Sequence, residues 1–300
     1  MKTRILIKEG EYRLTKAGCM DAKIDAEELY SFLTGTDRLQ IFMKAEEEAP
    51  EDVERKYLAL IARRAERIPL QYITGVQEFM GHRFKVDQSV LIPRQDTETL
   101  VVEAARTIQS TTQNKVSLLD KLRGGKEWEV LDLCCGSGAI GISLAKICDN
   151  IRVTGADISG AAVTMAAINA KSLHVKAEYL EGDLFEALKK RKEKKELKFD
   201  MIVSNPPYIR TNMIALLQDE IKKYEPWEAL DGGRDGLDYY RRIIGDAPEH
   251  LKKDGYLFFE IGHDQGEDLR KMLRDDGRYM PAEVIRDIPG RDRVVKTQLK

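Results

Sequence analysis

From residue 128 to the C-terminus, short apolar runs alternate with amphipathic stretches, and this alternation limits the fold more than any other feature. Residues 129–134 read as a buried strand, 139–147 as a helix, 152–157 as a second strand and 161–172 as a helix. Further strands are expected at 176–180, 199–204 and 255–261, the last followed by a helix to residue 275. Strand and helix in turn over this length mean a mostly parallel sheet with helices on both faces. The last two strands, 283–288 and 294–299, are separated only by a turn around Pro289-Gly290. No crossover helix fits there, so this pair should be antiparallel.

The first part of the chain has helical periodicity instead. Asp25 reads as the N-cap of a helix that places Leu29, Phe32 and Leu33 on one face. Residues 52–67 place Val53, Tyr57, Leu60 and Ile61 together and end in arginines, which suit a helix C-terminus; Pro69 stops that helix. Such short helices are unstable alone and should form a small bundle. Residues 72–86, with Phe79, Met80, Phe84 and Val86 flanking Gly81-His82, read as a β-hairpin. A helix is expected at 97–108, and the polar stretch 109–127 as a linker or loop. The expected domains are therefore 1–71 (helical), 72–92 (hairpin linker) and 93–300 (α/β).

Composition sets the setting. Hydrophobic residues at 42% and charged residues at 33% give a soluble globular balance, with no run long enough to span a membrane. The apolar run near the start is three residues before Lys8, which argues against a secretory signal. The four cysteines, Cys19, Cys134, Cys135 and Cys148, form no paired CxxC motifs. They are expected to be reduced and packed in a cytoplasmic protein, with no metal site. A net charge of −2 argues against nucleic acid as the main partner. The basic run 189–198 reads as a solvated helix end and loop, with contact to acidic RNA or an acidic partner as the sharper alternative. No surplus apolar stripe is evident, so a monomer is expected.

Four motifs carry chemistry. Asp132-Leu-Cys134-Cys135-Gly136-Ser137-Gly138 ends a strand and opens a helix, the context of a nucleotide-type cofactor loop. Its glycines let backbone approach a ligand. Asp157 ends the second strand, where a carboxylate can accept hydrogen bonds from both hydroxyls of a ribose. Asp183 and Leu184 follow the third strand, placed for an adenine amino group and its ring. Asn205-Pro206-Pro207-Tyr208 follows the fourth strand. Prolines fix φ and remove N–H donors, so this loop offers acceptors in a stiff frame. The Asn205 side-chain oxygen and the Pro206 carbonyl can both accept from one planar NH₂ group, with Tyr208 as an aromatic face beside it.

Together these residues resemble a class I S-adenosylmethionine-dependent methyltransferase acting on a planar amide or amino nitrogen. Tyr72-Ile-Thr-Gly75, Glu78-Phe79, Gly81, Phe84, Val86 and Val90-Leu-Ile-Pro-Arg94 are similar to the segment before the catalytic domain of the release factor glutamine methyltransferase (PrmC/HemK) family. Glu225-Pro226, Ala229-Leu230, Gly232-Gly233, Asp235-Gly236-Leu237, Tyr240-Arg241 and Ile243 resemble its segment after Asn-Pro-Pro-Tyr; Asp287, Gly290-Arg291 and Arg293-Val294 resemble its C-terminal hairpin. The likeness runs from residue 25 to the end. Cys134 stands where that family usually has glycine, and Gln95 where it usually has proline.

The resemblance implies a seven-stranded Rossmann-like methyltransferase sheet with an N-terminal helical, substrate-recognising bundle. It implies S-adenosyl-L-methionine as cofactor, S-adenosyl-L-homocysteine as product, and class 1 peptide-chain release factors as protein substrate. Residues 134–138 would line the methionine moiety, Asp157 the ribose, and Asp183 with Leu184 the adenine; Asp132 and Asn205 complete the expected cofactor set. Asn205, Pro206, Pro207 and Tyr208 would hold the substrate glutamine. Two rival readings start from the same acceptors: glutamine methylation of a ribosomal protein, and methylation of an adenine amino group in nucleic acid after base flipping.

Overall fold

The computed structural model describes residues 1–115, 127–190 and 198–300. They form two compact units, Met1–Val76 with Leu217–Tyr224, and Gln77–Leu216 with Glu225–Lys300. Among the described residues no helix is long and apolar enough to cross a membrane.

The first unit contains helices Thr3–Lys16, Ala22–Thr34, Arg38–Met43, Glu51–Ala65 and Leu70–Thr74. Leu6, Leu14, Leu29, Tyr57 and Ile61 fill its core. Asp25 does not cap a helix as expected. The helix starts at Ala22, and Asp25 is buried within it, accepting from Arg64 Nε at 2.7 Å. Tertiary burial of a paired charge, rather than local capping, decides that position. The short helix Asp219–Tyr224 joins the unit from far along the chain. Its Glu220 accepts from Arg64 Nη2 at 3.0 Å and from Arg67 Nε at 2.7 Å.

The second unit opens one residue into a hairpin, β1 (Val76–Phe79) and β2 (His82–Lys85), shorter than the expected 72–86. Residues 70–74 are instead a helical turn, closed by Gly75 at φ 75°. Helix Glu98–Lys115 runs into the stretch expected as linker. The remainder of that stretch, 116–126, and residues 191–197 of the basic run lie outside the described residues.

The main sheet comprises β3 (Trp128–Leu133), β4 (Ile151–Asp157), β5 (Ala177–Glu181), β6 (Phe199–Ser204), β7 (Leu251–Glu260), β8 (Glu283–Arg286) and β9 (Asp292–Gln298). Their order is β5-β4-β3-β6-β7-β9-β8. β3 through β7 are parallel, while β9 is antiparallel to β7 and β8 to β9, as the missing crossover required. β6 is buried along its whole length, as a central parallel strand covered on both faces must be. Strand order reverses at β3, whose neighbours are β4 and β6. Leu133 aligns with Ala156 on one side and Ser204 on the other. The next residues of three strands (Cys134, Asp157 and Asn205) therefore emerge at one sheet edge, at the topological switch point where such sheets bind ligands.

Candidate active site

A cleft of 420 Å³ opens at that edge, within the sheet unit. Cys134, Cys135, Gly136, Ser137, Asp157, Asp183, Leu184, Asn205 and Pro207 line it. Asp132, Gly138, Pro206 and Tyr208 do not.

The loop after β3 turns sharply. Cys134 at φ 58°, Gly136 at φ 52° and Gly138 at φ 78° all have left-handed backbone. That conformation suits glycine and strains a cysteine. Ser204 Oγ donates to the Leu133 carbonyl at 2.8 Å and ties the ends of β3 and β6 beneath the loop. Asp132 lies below, with no exposed surface, and its Oδ2 accepts from the Gly141 N–H at 2.9 Å. It anchors the first turn of helix Ala139–Ile147. Burial pushes its carboxyl up to about 7, partly opposed by the Gly141 bond.

Asp157 connects loop and cleft. Its Oδ2 accepts from the Gly136 N–H at 2.8 Å and its Oδ1 from the Ser159 N–H at 3.0 Å. Burial raises this carboxyl and both backbone bonds pull it down. Each oxygen keeps a further lone pair, the acceptor set a vicinal diol needs. Beyond β5, Asp183 Oδ2 accepts from Arg242 Nη2 at 2.7 Å.

Asn205 and Pro207 reach the cleft from β6, while Tyr208 turns away from it. The Tyr208 hydroxyl donates to Glu260 Oε1 at 3.3 Å. Its carbonyl accepts from Gln265 Nε2 at 3.1 Å. A Cβ on Gly232 would lie 2.7 Å from the Tyr208 Cα, and one on Gly236, at φ 78°, would lie 2.4 Å from the Tyr208 oxygen. Two glycines after the Asn-Pro-Pro-Tyr loop are thus needed for the chain to fold back against it.

Other functional residues carried no separate signal in the motifs. Arg94 lines the cleft and pairs with Glu225, whose side chain is almost fully buried. Burial raises the Glu225 carboxyl and Arg94 opposes the rise. Both residues occur in the segments that carry the resemblance, but their pairing across 131 positions is tertiary. Glu228 and Tyr239 also line the cleft. With Asp157, Asp183 and Glu228 against Arg94, the lining favours a cationic ligand.

Comparison with known proteins decides the family. The chain is 37% identical over 296 residues to the release factor glutamine methyltransferase of Clostridium botulinum, covering 98% of each chain. It is 39% identical over 282 residues to that of Geobacter sulfurreducens, covering 94% of this chain and 91% of the relative. The chain belongs to the release factor glutamine methyltransferase family. Residues 6–75 match the PrmC N-terminal domain and residues 103–222 the methyltransferase small domain. The first match begins well before residue 25, so family likeness extends into a segment whose sequence carried no recognised motif. The solved human methyltransferase 10 domain containing protein shares the fold, with TM-score 0.50, 17% identity and coverage of 81% of this chain and 97% of that one. The relatives and the methyltransferase domain match make the chain a methyltransferase, of a family that uses S-adenosylmethionine as methyl donor.

The cleft fits that cofactor by its chemistry. It has the volume of a small-molecule site. A cationic sulfonium suits its acidic lining, and the Asp157 carboxylate, oriented by two backbone N–H groups, suits ribose hydroxyls. The Gly136 face is open, with nothing within 4 Å of where a Cβ would stand.

Proposed function

We propose that the chain methylates the side-chain amide nitrogen, N5, of the glutamine in the Gly-Gly-Gln motif of class 1 peptide-chain release factors, leaving S-adenosylhomocysteine. One observation carries this reading: Asn205 and Pro207, from a loop built of acceptors, line the same cleft as Asp157. The relatives' shared name supports the same substrate.

Residues 134–137 would hold the methionine part, Asp157 the ribose, and Asp183 with Leu184 the adenine. When bound, the cofactor supplies an electrophilic methyl group on a sulfonium. An amide nitrogen is a poor nucleophile because its lone pair is conjugated with its carbonyl. The Asn205 side-chain oxygen accepts one N–H bond of the amide at the cleft wall, and the carbonyl of Pro206, which does not line the cleft itself, takes the other from the same loop; together they raise electron density on nitrogen and aim it. Neither proline offers a competing N–H. Alignment then supplies most of the advantage. No strong base is required before attack, because the methylated nitrogen is more acidic and gives up its proton afterwards.

The test mixes the purified chain, methyl-labelled S-adenosylmethionine and a bacterial class 1 release factor, with a Gln→Ala change in the factor's Gly-Gly-Gln motif as control. Label on the wild-type factor alone is the expected result. An unlabelled factor, with label on a ribosomal protein or on DNA when a cell lysate replaces the factor, overturns the substrate assignment.

A further inference from the structure

At the C-terminal end of β7 the chain reads Glu260-Ile-Gly-His-Asp-Gln265, and two of these side chains close on one residue of the Asn-Pro-Pro-Tyr loop. Glu260 accepts from the Tyr208 hydroxyl at 3.3 Å. Gln265 Nε2 donates to the Tyr208 carbonyl and to the Gly236 carbonyl, each at 3.1 Å. Gln265 Oε1 accepts from the Gly262 N–H at 2.8 Å, so three bonds orient one amide. Glu260 is 1% and Gln265 2% exposed. Neither lines the cleft. Burying a carboxyl and a carboxamide costs stability that an apolar residue would not lose. Their contacts converge on the residue that terminates the acceptor loop.

We propose that Glu260 and Gln265 are positioning residues, which grip Tyr208 at its hydroxyl and its carbonyl and so hold the acceptors of Asn205 and Pro206 in place. The proposal rests on the methyl-transfer reading of that loop. The two grips differ in kind. Glu260 reaches Tyr208 only at the phenol oxygen, whereas Gln265 reaches its main chain and is indifferent to the side chain at 208.

That difference supplies the test. Turnover and cofactor affinity are measured for Glu260→Ala, Glu260→Gln and Gln265→Met, each alone and combined with Tyr208→Phe. Glu260→Ala is expected to lower kcat about tenfold with cofactor affinity unchanged, and Glu260→Gln to restore part of it. Neither lowers kcat further once Tyr208→Phe is present, while Gln265→Met lowers kcat about equally in both backgrounds. Wild-type kcat in Glu260→Ala, or losses that multiply with that of Tyr208→Phe, overturn the Glu260 role. Wild-type kcat in Gln265→Met overturns the Gln265 role. Turnover is read on whichever acceptor the wild-type chain labels, so label on an acceptor other than a release factor overturns the proposed substrate and leaves this comparison intact.

A second measurement needs neither acceptor nor alanine variant. Arg293, Asp96, Thr97, Tyr208 and Tyr240 face Glu260 from four separate segments. Burial pushes the Glu260 carboxyl up to about 7, against the pull of Thr97, Arg293 and Tyr208. In ¹³C-tyrosine-labelled chain, the Tyr208 ring signal (assigned with Tyr208→Phe) should follow a titration near neutral pH that Glu260→Gln abolishes. A Tyr208 ring signal that Glu260→Gln leaves unmoved at every pH, or a titration that survives Glu260→Gln, overturns the contact.

Discussion

The Gly136 N–H donates to Asp157 Oδ2 at 2.8 Å, so the glycine loop and the end of β4 are one mechanical piece. The carboxylate that faces the cleft also fixes the loop that lines it. Asp157→Ala is therefore expected to weaken S-adenosylmethionine binding by about ten- to a hundredfold, the scale of hydrogen bonds to a charged group. Isothermal titration checks this. An unchanged affinity would remove Asp157 from the cofactor site.

Asn205→Ala should lower turnover by about a hundredfold or more, the scale seen when one preorganised polar group is removed from a reacting centre. Cofactor affinity should stay within about threefold, because the loop after β3 and Asp157 are untouched. Single-turnover label transfer, alongside titration of the cofactor, separates the two effects.

Asp132 gives a pH prediction whose sign follows from burial. Its folded carboxyl holds a proton up to about pH 7, whereas an unfolded aspartate releases it near pH 4. The folded state thus binds more protons between these limits. The stability this contributes is full below about pH 4 and is lost as pH rises to about 7. Asp132→Asn cannot ionise and still offers an acceptor to the Gly141 N–H. Relative to wild type it should gain about 3 kcal/mol between pH 4 and pH 7. Urea unfolding at the two pH values reads the difference; a constant offset would refute it.

Cys134 sits at φ 58°, where glycine is free of strain and a β-branched side chain is not. Cys134→Gly should change stability by less than about 0.5 kcal/mol, since relief of strain offsets the looser unfolded chain. Cys134→Val should cost about 2 kcal/mol. Thermal melts of the two variants give the ordering.

The helical unit depends on a charge cluster assembled from three segments. Arg64 bonds Asp25 at 2.7 Å and Glu220 at 3.0 Å, with the Arg64 and Asp25 side chains each 8% exposed. Asp25→Ala leaves a buried guanidinium short of a partner and should cost about 3 kcal/mol. Lys56→Ala, which removes the exposed pair with Asp52, should change stability by less than about 0.5 kcal/mol in the same urea titration.

Much of the site was legible because local rules speak there. A strand that runs into Cys-Cys-Gly-Ser-Gly and then a helix is a weak ligand-loop signal alone and a stronger one beside Asn-Pro-Pro-Tyr, whose two prolines declare their missing donors. Asp157, Asp183 and Asn205 were found by their place at strand ends. Asp25 was misread because an aspartate before an apolar run is a good N-cap, and only its partner on another helix reveals a buried ion pair. Glu260 read as the end of a strand and Gln265 as part of a helix start. Nothing local distinguishes either from an ordinary polar residue.

By itself the sequence determined the strand order in time, the antiparallel end of the sheet, the acceptor loop and the residues at each strand's carboxyl end. These depend on periodicity, on glycine and proline geometry, and on loop length, all of which act over a few residues. The tertiary structure alone decided that Asp132 and Tyr208 support the cleft rather than line it. It also decided that Arg94 meets Glu225 across 131 positions, and that Leu217–Tyr224 belongs with the N-terminal helices. The reason is physical: burial of a charge and the choice of its partner depend on which surfaces meet in space, and sequence separation carries no information about that meeting.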